Sequence, residues 1–195
     1  MTETFDPAQS SHYINDAYYQ TLIADFTDWQ RDERIIGDAT ERAEAEALLA
    51  REARLLDGAQ FRDWLSMFVP ECLLWAPTTP TGGDPRREVA VIFDDRRRME
   101  DCIYRLETGF AWSQVPPSRT TRLVTNVEVF AARDDSRRMV RANFLMSEFR
   151  AGETRRFTGW LGYRLARKGG GLAIEVKQIN LIDCDRNLRN PSILL

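Results

Sequence analysis

The stretch RLETGFAWSQVPPSRTTRLVTNVEV, residues 105–129, contains the change of pattern that decides the fold. It begins as the end of a helix, passes through a loop that holds Trp112 and a double proline, and continues with period-two alternation. A helical half before this stretch and a sheet half after it predict an α+β protein. The alternation is expected to place five residues on one face of a strand: Leu123, Thr125, Val127, Val129 and Ala131.

The strands predicted after residue 119 follow one another with only short turns between them. RMVRANFLMSEF, RRFTGWLGYRLA and LAIEVKQINLID are the next three strands, and RDDS, AGE and KGGG are the turns. The glycine run is interpreted as a hairpin turn and not as a phosphate-binding loop, because no helix follows it. Four long strands joined in this way predict an antiparallel meander.

Helices and two further strands precede the meander. Asp38 and Glu41 resemble a capping box that opens a helix over ATERAEAEALLAREARLLDG, and Gly58 is expected at its C-terminal end. The apolar positions of this helix include Ala47, Leu48, Leu55 and Leu56. A short helix over QFRDWLSMF and strands over ECLLWAP and EVAVIF follow, with a loop over residues 77–87.

A last helix is predicted through MEDCIYRLET, with Asp94 or Asp95 as its N-terminal cap. At the other end of the chain, residues 1–37 are predicted to form an arm with a short helix around 14–28, docked through aromatic side chains. Residues 38–195 are predicted to form a single domain.

Composition narrows the possible partners and compartments. A net charge of −3 favours neither nucleic acid nor an anionic membrane as a partner. The chain has no apolar run of about 18 residues, and its N-terminus lacks the basic and apolar regions of a signal peptide. Cys72, Cys102 and Cys184 are odd in number and far apart, which predicts reduced thiols in a cytoplasmic protein.

The residues that usually perform catalysis are scarce. His12 is the only histidine, whereas a catalytic zinc or a mononuclear iron site normally uses two or three imidazoles and a Rieske cluster uses two Cys and two His. No G-x-S-x-G motif occurs. Asp183 and Asp185 flank Cys184, but two carboxylates and one thiol at a strand end do not favour a metal site. We therefore expect no catalytic, cofactor-binding or metal-binding residue in this chain.

The opening stretch resembles the signature region of the small (β) subunit of aromatic-ring-hydroxylating (Rieske non-heme iron) dioxygenases. The similarity covers roughly residues 41–195. The matching positions in and around the signature are Arg105, Leu106, Thr108, Gly109, Ala111, Trp112, Pro117, Ser118, Arg119, Val124, Asn126 and Val127. Further matches are Glu52, Leu56, Asp57, Trp64, Pro77, Leu181, Asp183, Asn190 and Ser192.

This resemblance implies a cystatin-like cone, shared with nuclear transport factor, in which N-terminal helices pack on a strongly curved, antiparallel-rich sheet. It also implies that this chain holds no cofactor and supports a large (α) subunit with a Rieske [2Fe-2S] cluster and a mononuclear Fe(II). The expected assembly is a three-plus-three hexamer that dihydroxylates an aromatic compound. Its electrons come from NAD(P)H through a reductase and often a ferredoxin.

Six residues are candidates for the subunit interface: Trp112, Pro117, Arg119, Arg122, Asn126 and Asp183. A Trp beside a rigid proline turn, with planar guanidinium groups that can pair with carboxylates, suits a permanent interface. Internal packing of Trp112 and solvated arginines explain the same residues equally well.

Two other functions remain open at this point. A stand-alone dehydratase or isomerase could use a pocket in the same cone, with Asp57, Tyr104 or Tyr163 as its base. A binding module that forms homodimers or homotrimers through its sheet is the third possibility.

Overall fold

A computed structural model describes residues 13–80, 83–186 and 193–195. His12, Asn190 and Ser192 lie outside the described residues. The helices are α1 (Asp16–Phe26), α2 (Ala39–Asp57), α3 (Phe61–Leu65) and α4 (Arg96–Thr108). The strands are β1 (Phe68–Pro77), β2 (Ala90–Asp95), β3 (Arg119–Ala131), β4 (Arg137–Arg150), β5 (Glu153–Lys168) and β6 (Gly171–Leu181).

All six strands form one curved sheet in the order β2-β1-β6-β5-β4-β3. Strands β3 to β6 are an antiparallel meander, and β1 joins it through a parallel pairing with β6. The predicted α+β class and the meander are therefore confirmed. The cone arises because the sheet curves around α2, α3 and α4, which cover what we call its inner face.

The start of α2 is held by more than its cap. Asp38 Oδ1 accepts hydrogen bonds from the backbone N–H groups of Thr40 (2.7 Å) and Glu41 (3.0 Å), as predicted. The Glu41 carboxylate does not complete the capping box, because it pairs with Arg138 (3.0 Å) and Arg167 (2.6 Å). These ion pairs tie the first turn of α2 to β4 and β5.

The end of α2 differs from the prediction by one residue. Gly58 has a φ of −84°, and the left-handed conformation belongs to Ala59, with a φ of 53°. This turn is closed by a hydrogen bond from the Gln60 N–H to the Leu55 carbonyl (2.8 Å). Leu55 is buried as expected, whereas Ala47 is exposed.

A β-bulge makes the predicted face of β3 wrong. The register with β4 shifts between Thr125 and Glu128, and Asn126 has a φ of 54°. Because one extra residue reverses the alternation, residues on either side of a bulge point to opposite faces. Leu123 is therefore 65% exposed, although Val129, which the sequence placed on the same face, is buried in the core.

The described part of the arm, residues 13–37, covers part of the opposite, outer face of the sheet. Leu22 of α1 is fully buried and packs against Leu73, Trp75 and Val176. The Asp25 carboxylate pairs with Arg164 of β5 at 2.9 Å, and both side chains are buried. The helix predicted in the arm thus docks on the sheet of its own chain through apolar contacts and one buried ion pair.

Two further observations concern the part of the chain that the structure describes. Cys72, Cys102 and Cys184 are all free thiols. None of the described helices has both the length and the apolar character needed to cross a bilayer.

Truncation of Leu22 tests the docking of the arm. Leu22→Ala should lower the free energy of unfolding by about 2–5 kcal/mol, because it removes a fully buried leucine and leaves a cavity. Gln20→Ala, on the exposed side of the same helix, should change it by about 0.5 kcal/mol or less. Urea denaturation of the purified chain measures both values, and equal effects would show that α1 is not docked.

Candidate subunit interface

The interior of the cone is filled by a buried charged cluster centred on Glu52. Its Oε1 atom accepts hydrogen bonds from Trp64 Nε1 (3.0 Å) and Lys177 Nζ (3.0 Å), and its Oε2 atom accepts one from the Tyr163 hydroxyl (2.6 Å). All four side chains are buried. They come from α2, α3, β5 and β6, so the cluster joins the helical layer to the sheet.

The charge states in this cluster follow from its contacts. Burial alone raises the pKa of the Glu52 carboxyl, but the Lys177 ammonium and the hydrogen bonds from Tyr163 and Trp64 outweigh burial, so the pKa lies below its usual value. Burial and the Glu52 charge raise the pKa of Tyr163 well above its usual value. Glu52 is therefore a carboxylate, and Tyr163 keeps its proton as a hydrogen-bond donor.

The mouth of the cone is closed by Arg122 and the last residues of the chain. The Arg122 guanidinium, whose side chain is only 6% exposed, pairs with Asp57 and donates to the Leu194 carbonyl. The Arg122 backbone N–H also donates to Asp57 Oδ2 (2.8 Å). Lys177 Nζ donates to the Leu195 carbonyl at 2.9 Å. The cavity left at this mouth has a volume of about 110 Å³.

The described interior of the cone contains no assembled site for a stand-alone catalyst. None of the three alternative bases is a free group inside the cone: Tyr163 is protonated in the core, Asp57 is bound to Arg122, and Tyr104 is 56% exposed on the surface of α4. The cavity at the mouth, of about 110 Å³, is also smaller than the roughly 300–1,000 Å³ typical of ligand pockets. Asp57 and Tyr104 line open surface grooves of about 720 and 550 Å³, which lie outside the interior of the cone. The interior therefore does not support the dehydratase or isomerase hypothesis.

An exposed apolar loop follows α4 and contains the signature tryptophan. We call the loop surface the set Phe110, Trp112, Val115, Pro116, Pro117, Arg119, Phe149 and Arg150. Trp112 is 81% exposed, which excludes the internal packing that the sequence left open. Large exposed aromatic side chains clustered in this way mark interaction sites.

Local hydrogen bonds hold this loop in a defined conformation. Gly109 ends α4 in the left-handed region, with a φ of 77°, and the N–H of the buried Ala111 bonds to the Arg105 carbonyl (3.0 Å). Arg150 Nε donates to the Pro116 carbonyl at 3.2 Å, which ties the loop to β4. Ordering before binding reduces the entropy cost of association.

The predicted interface residues separate into three groups. Trp112, Pro117 and Arg119 are all exposed members of the loop surface, and the Arg119 guanidinium lies 4.7 Å from the centre of the Phe149 ring. Arg122 does not fit the prediction, because its side chain is buried within the chain. Asn126 is exposed at the β3 bulge, and Asp183 is exposed in the turn after β6.

Sequence reasoning missed several residues of these sites. Phe110 and Val115 lie within the signature region, and their signal was the presence of apolar residues in a proline-rich loop. Arg150, at the end of β4, gave no local signal. Lys177 was also missed, although it alternates with Ile179 and Leu181 on the inner face of β6. A lysine in such an apolar series indicates a buried partner of opposite charge.

The fold and these surfaces define a cone-shaped α+β protein with a filled interior. A family model described as "Ring hydroxylating beta subunit" matches residues 51–185. The small oxygenase component of the p-cumate 2,3-dioxygenase system of Pseudomonas putida is 33% identical over 139 residues, which are 70% of this chain and 77% of that protein.

Two solved structures share the fold. The β subunit of the benzoate 1,2-dioxygenase of Burkholderia mallei is 28% identical, covers 71% of this chain and 89% of its own, and gives a TM-score of 0.60. A chain of naphthalene 1,2-dioxygenase with indole bound in the active site is 20% identical. The match covers 93% of this chain and 95% of that chain, with a TM-score of 0.68. The chain belongs to the ring hydroxylating beta subunit family.

Removal of Lys177 tests the interior cluster. Lys177→Met should lower the free energy of unfolding by about 3–5 kcal/mol, because it leaves the Glu52 carboxylate buried without its cation. The double variant Glu52→Gln/Lys177→Met should be more stable than the single variant, since the uncompensated charge is gone. Chemical denaturation measures both. Arg62→Met breaks an exposed pair with Glu107 and should have little effect.

Proposed function

We propose that this chain is the β subunit of an oxygenase that dihydroxylates an aromatic compound, and that it supports the large subunit in which the chemistry occurs. The observation that carries this proposal is the ordered, exposed loop surface around Trp112 in a chain of this family. A monomer gains nothing from an aromatic residue of that size in water. At an interface, the same residue buries a large apolar area.

The iron centres belong to the large subunit in this proposal. A Rieske cluster takes two Cys and two His, and the whole sequence has three Cys and one His, so its donors do not fit the cluster. Among the residues that the structure describes, no three His, Cys, Asp or Glu side chains are grouped to hold a metal ion. We place the [2Fe-2S] cluster and the mononuclear Fe(II) in the partner, with NAD(P)H as donor through a reductase and a ferredoxin.

The proposed assembly contains three small and three large subunits. In such a ring each small subunit contacts more than one neighbour, so more than one surface is needed. The loop surface supplies the contact with the large subunit. The turn after β6, where Ile182 and Asp183 are both exposed, supplies a second surface.

The division of the chain and its compartment complete the proposal. Residues 1–37 act as an arm on a single domain of residues 38–195, which is supported by the packing of Leu22 and Trp29 on the outer face. The three free cysteines suit a reducing compartment, and we place the protein in the cytoplasm.

Truncation of Trp112 tests the loop surface. Trp112→Ala should weaken binding to the large subunit by about 2 kcal/mol or more, which is about 30-fold, because it removes a central aromatic anchor. Val89→Ala changes another exposed apolar residue, 77% exposed and before β2, and should leave affinity unchanged. Analytical ultracentrifugation of the mixed subunits gives the dissociation constants. Equal affinities for both variants would contradict the assignment.

The division of chemistry has its own test. The small chain purified alone should contain no stoichiometric iron and should not oxidise an arene. Its complex with the large subunit should contain iron and should oxidise an arene when O2, NAD(P)H, the reductase and the ferredoxin are supplied. Elemental analysis and oxygen consumption measure this. Iron bound one-to-one by the lone chain, together with arene turnover, would overturn the proposal.

A further inference from the structure

Strand β3 lies at one edge of the sheet, and part of that edge is open. In the described ranges, two hydrogen bonds join the β3 backbone at this edge to groups outside the sheet. The Asp57 carboxylate accepts the Arg122 backbone N–H (2.8 Å), and the Ile36 N–H donates to the Val129 carbonyl (2.8 Å). Because backbone groups of alternate residues point to the same side of a strand, those of Val124 point to this edge with Arg122. Beyond the bulge, those of Val127 point the same way as those of Val129.

The same edge already accepts an extended segment at one end. Ile35 forms an antiparallel bridge with Phe130, next to the Ile36 bond, before the chain turns into α2. The pairing stops there because Asp38 begins the helix. The arm therefore shows that this edge can bind a strand, and it leaves the segment from Leu123 to Glu128 uncovered in the part of the chain that the structure describes.

A groove of about 720 Å³ runs beside this segment. Its other wall is α2, which contributes Leu49, Ala50 and Ala53. An apolar wall beside unpaired backbone groups is an arrangement that binds a strand. Main-chain hydrogen bonds to the edge give affinity, and the apolar wall accepts every second side chain of the added strand. At about 3.3 Å per residue, the gap between Arg122 and Val129 admits about four to six residues.

The ends of the groove differ in charge. Glu46 at one end already pairs with Arg42 (3.7 Å). Arg54, at the other end, is exposed and has no ion-pair partner among the described residues. A carboxylate of the occupant would pair with this guanidinium.

We propose that the groove between α2 and β3 binds an extended segment of the large subunit, which adds a short strand to the edge and places an acidic residue against Arg54. The groove volume of about 720 Å³ suits one short strand, and the exchange experiment below distinguishes the large subunit from a second copy of this chain. This inference rests on the proposed function, and it adds a contact separate from the loop surface.

Amide hydrogen exchange tests the added strand in the assembled oxygenase. The N–H groups of Val124 and Val127 should exchange at least about tenfold more slowly in the complex with the large subunit than in the small chain alone. Unchanged exchange in a complex that forms normally would overturn the inference and leave the proposed function standing. Failure of the two chains to assemble would overturn both. Slow exchange already present in the lone chain, and dependent on its concentration, would identify a second copy as the occupant and overturn the inference.

A variant that fills the groove tests the same inference by affinity. Ala50→Trp should weaken binding to the large subunit at least about tenfold, and Ala50→Leu should give a smaller loss in the same direction. Ala47→Trp introduces the same side chain at an exposed position of α2 outside the groove and should leave affinity within about twofold. Thermal unfolding of each variant identifies misfolding, and equal affinities for Ala50→Trp and Ala47→Trp in folded proteins would contradict the inference.

Discussion

The carboxylate of Glu52 is the constraint on which the rest of the structure depends. A charge removed from water requires compensation, and here a lysine, a tyrosine and a tryptophan from three other elements provide it. These contacts set the distance between the helices and the sheet, and each is lost if one element shifts by more than a hydrogen-bond length. The same groups occupy the space in which a cone of this kind could otherwise hold a ligand.

Because the interior of the cone is filled, the groups that can contact another molecule lie on its surface. Arg122 and the residues near Leu195 close the mouth of the cone, so the accessible chemistry is that of exposed aromatic and basic side chains. The loop surface is ordered by its own backbone bonds and by Arg150 before any partner is present. A pre-ordered aromatic surface and an open strand edge are both suited to stable association with another chain.

Much of the fold was predictable because its signals are local. The meander follows from period-two alternation between short turns. The helix starts follow from acidic caps: Asp38 caps α2 as predicted, and Asp95 is the one of the two candidates, Asp94 and Asp95, that caps α4. The site was predictable only in part. Trp112, Pro117 and Arg119 were selected through their place in a signature, and they share a surface. Arg122 was selected because its guanidinium group could pair with a carboxylate of a partner. It forms a buried ion pair with Asp57 of its own chain instead, and a residue so distant in sequence cannot be detected from a local pattern.

The sequence by itself determined the class of fold, the order of its elements and the scarcity of imidazole and thiolate donors, because each depends on residue type or on spacing along the chain. Tertiary structure decided which face each part of β3 presents, since a single left-handed residue at Asn126 reverses the alternation. It also decided that Glu52 and Lys177 meet inside the cone and that Trp112 remains outside. Those outcomes depend on distances between residues far apart in the chain, which no local pattern encodes.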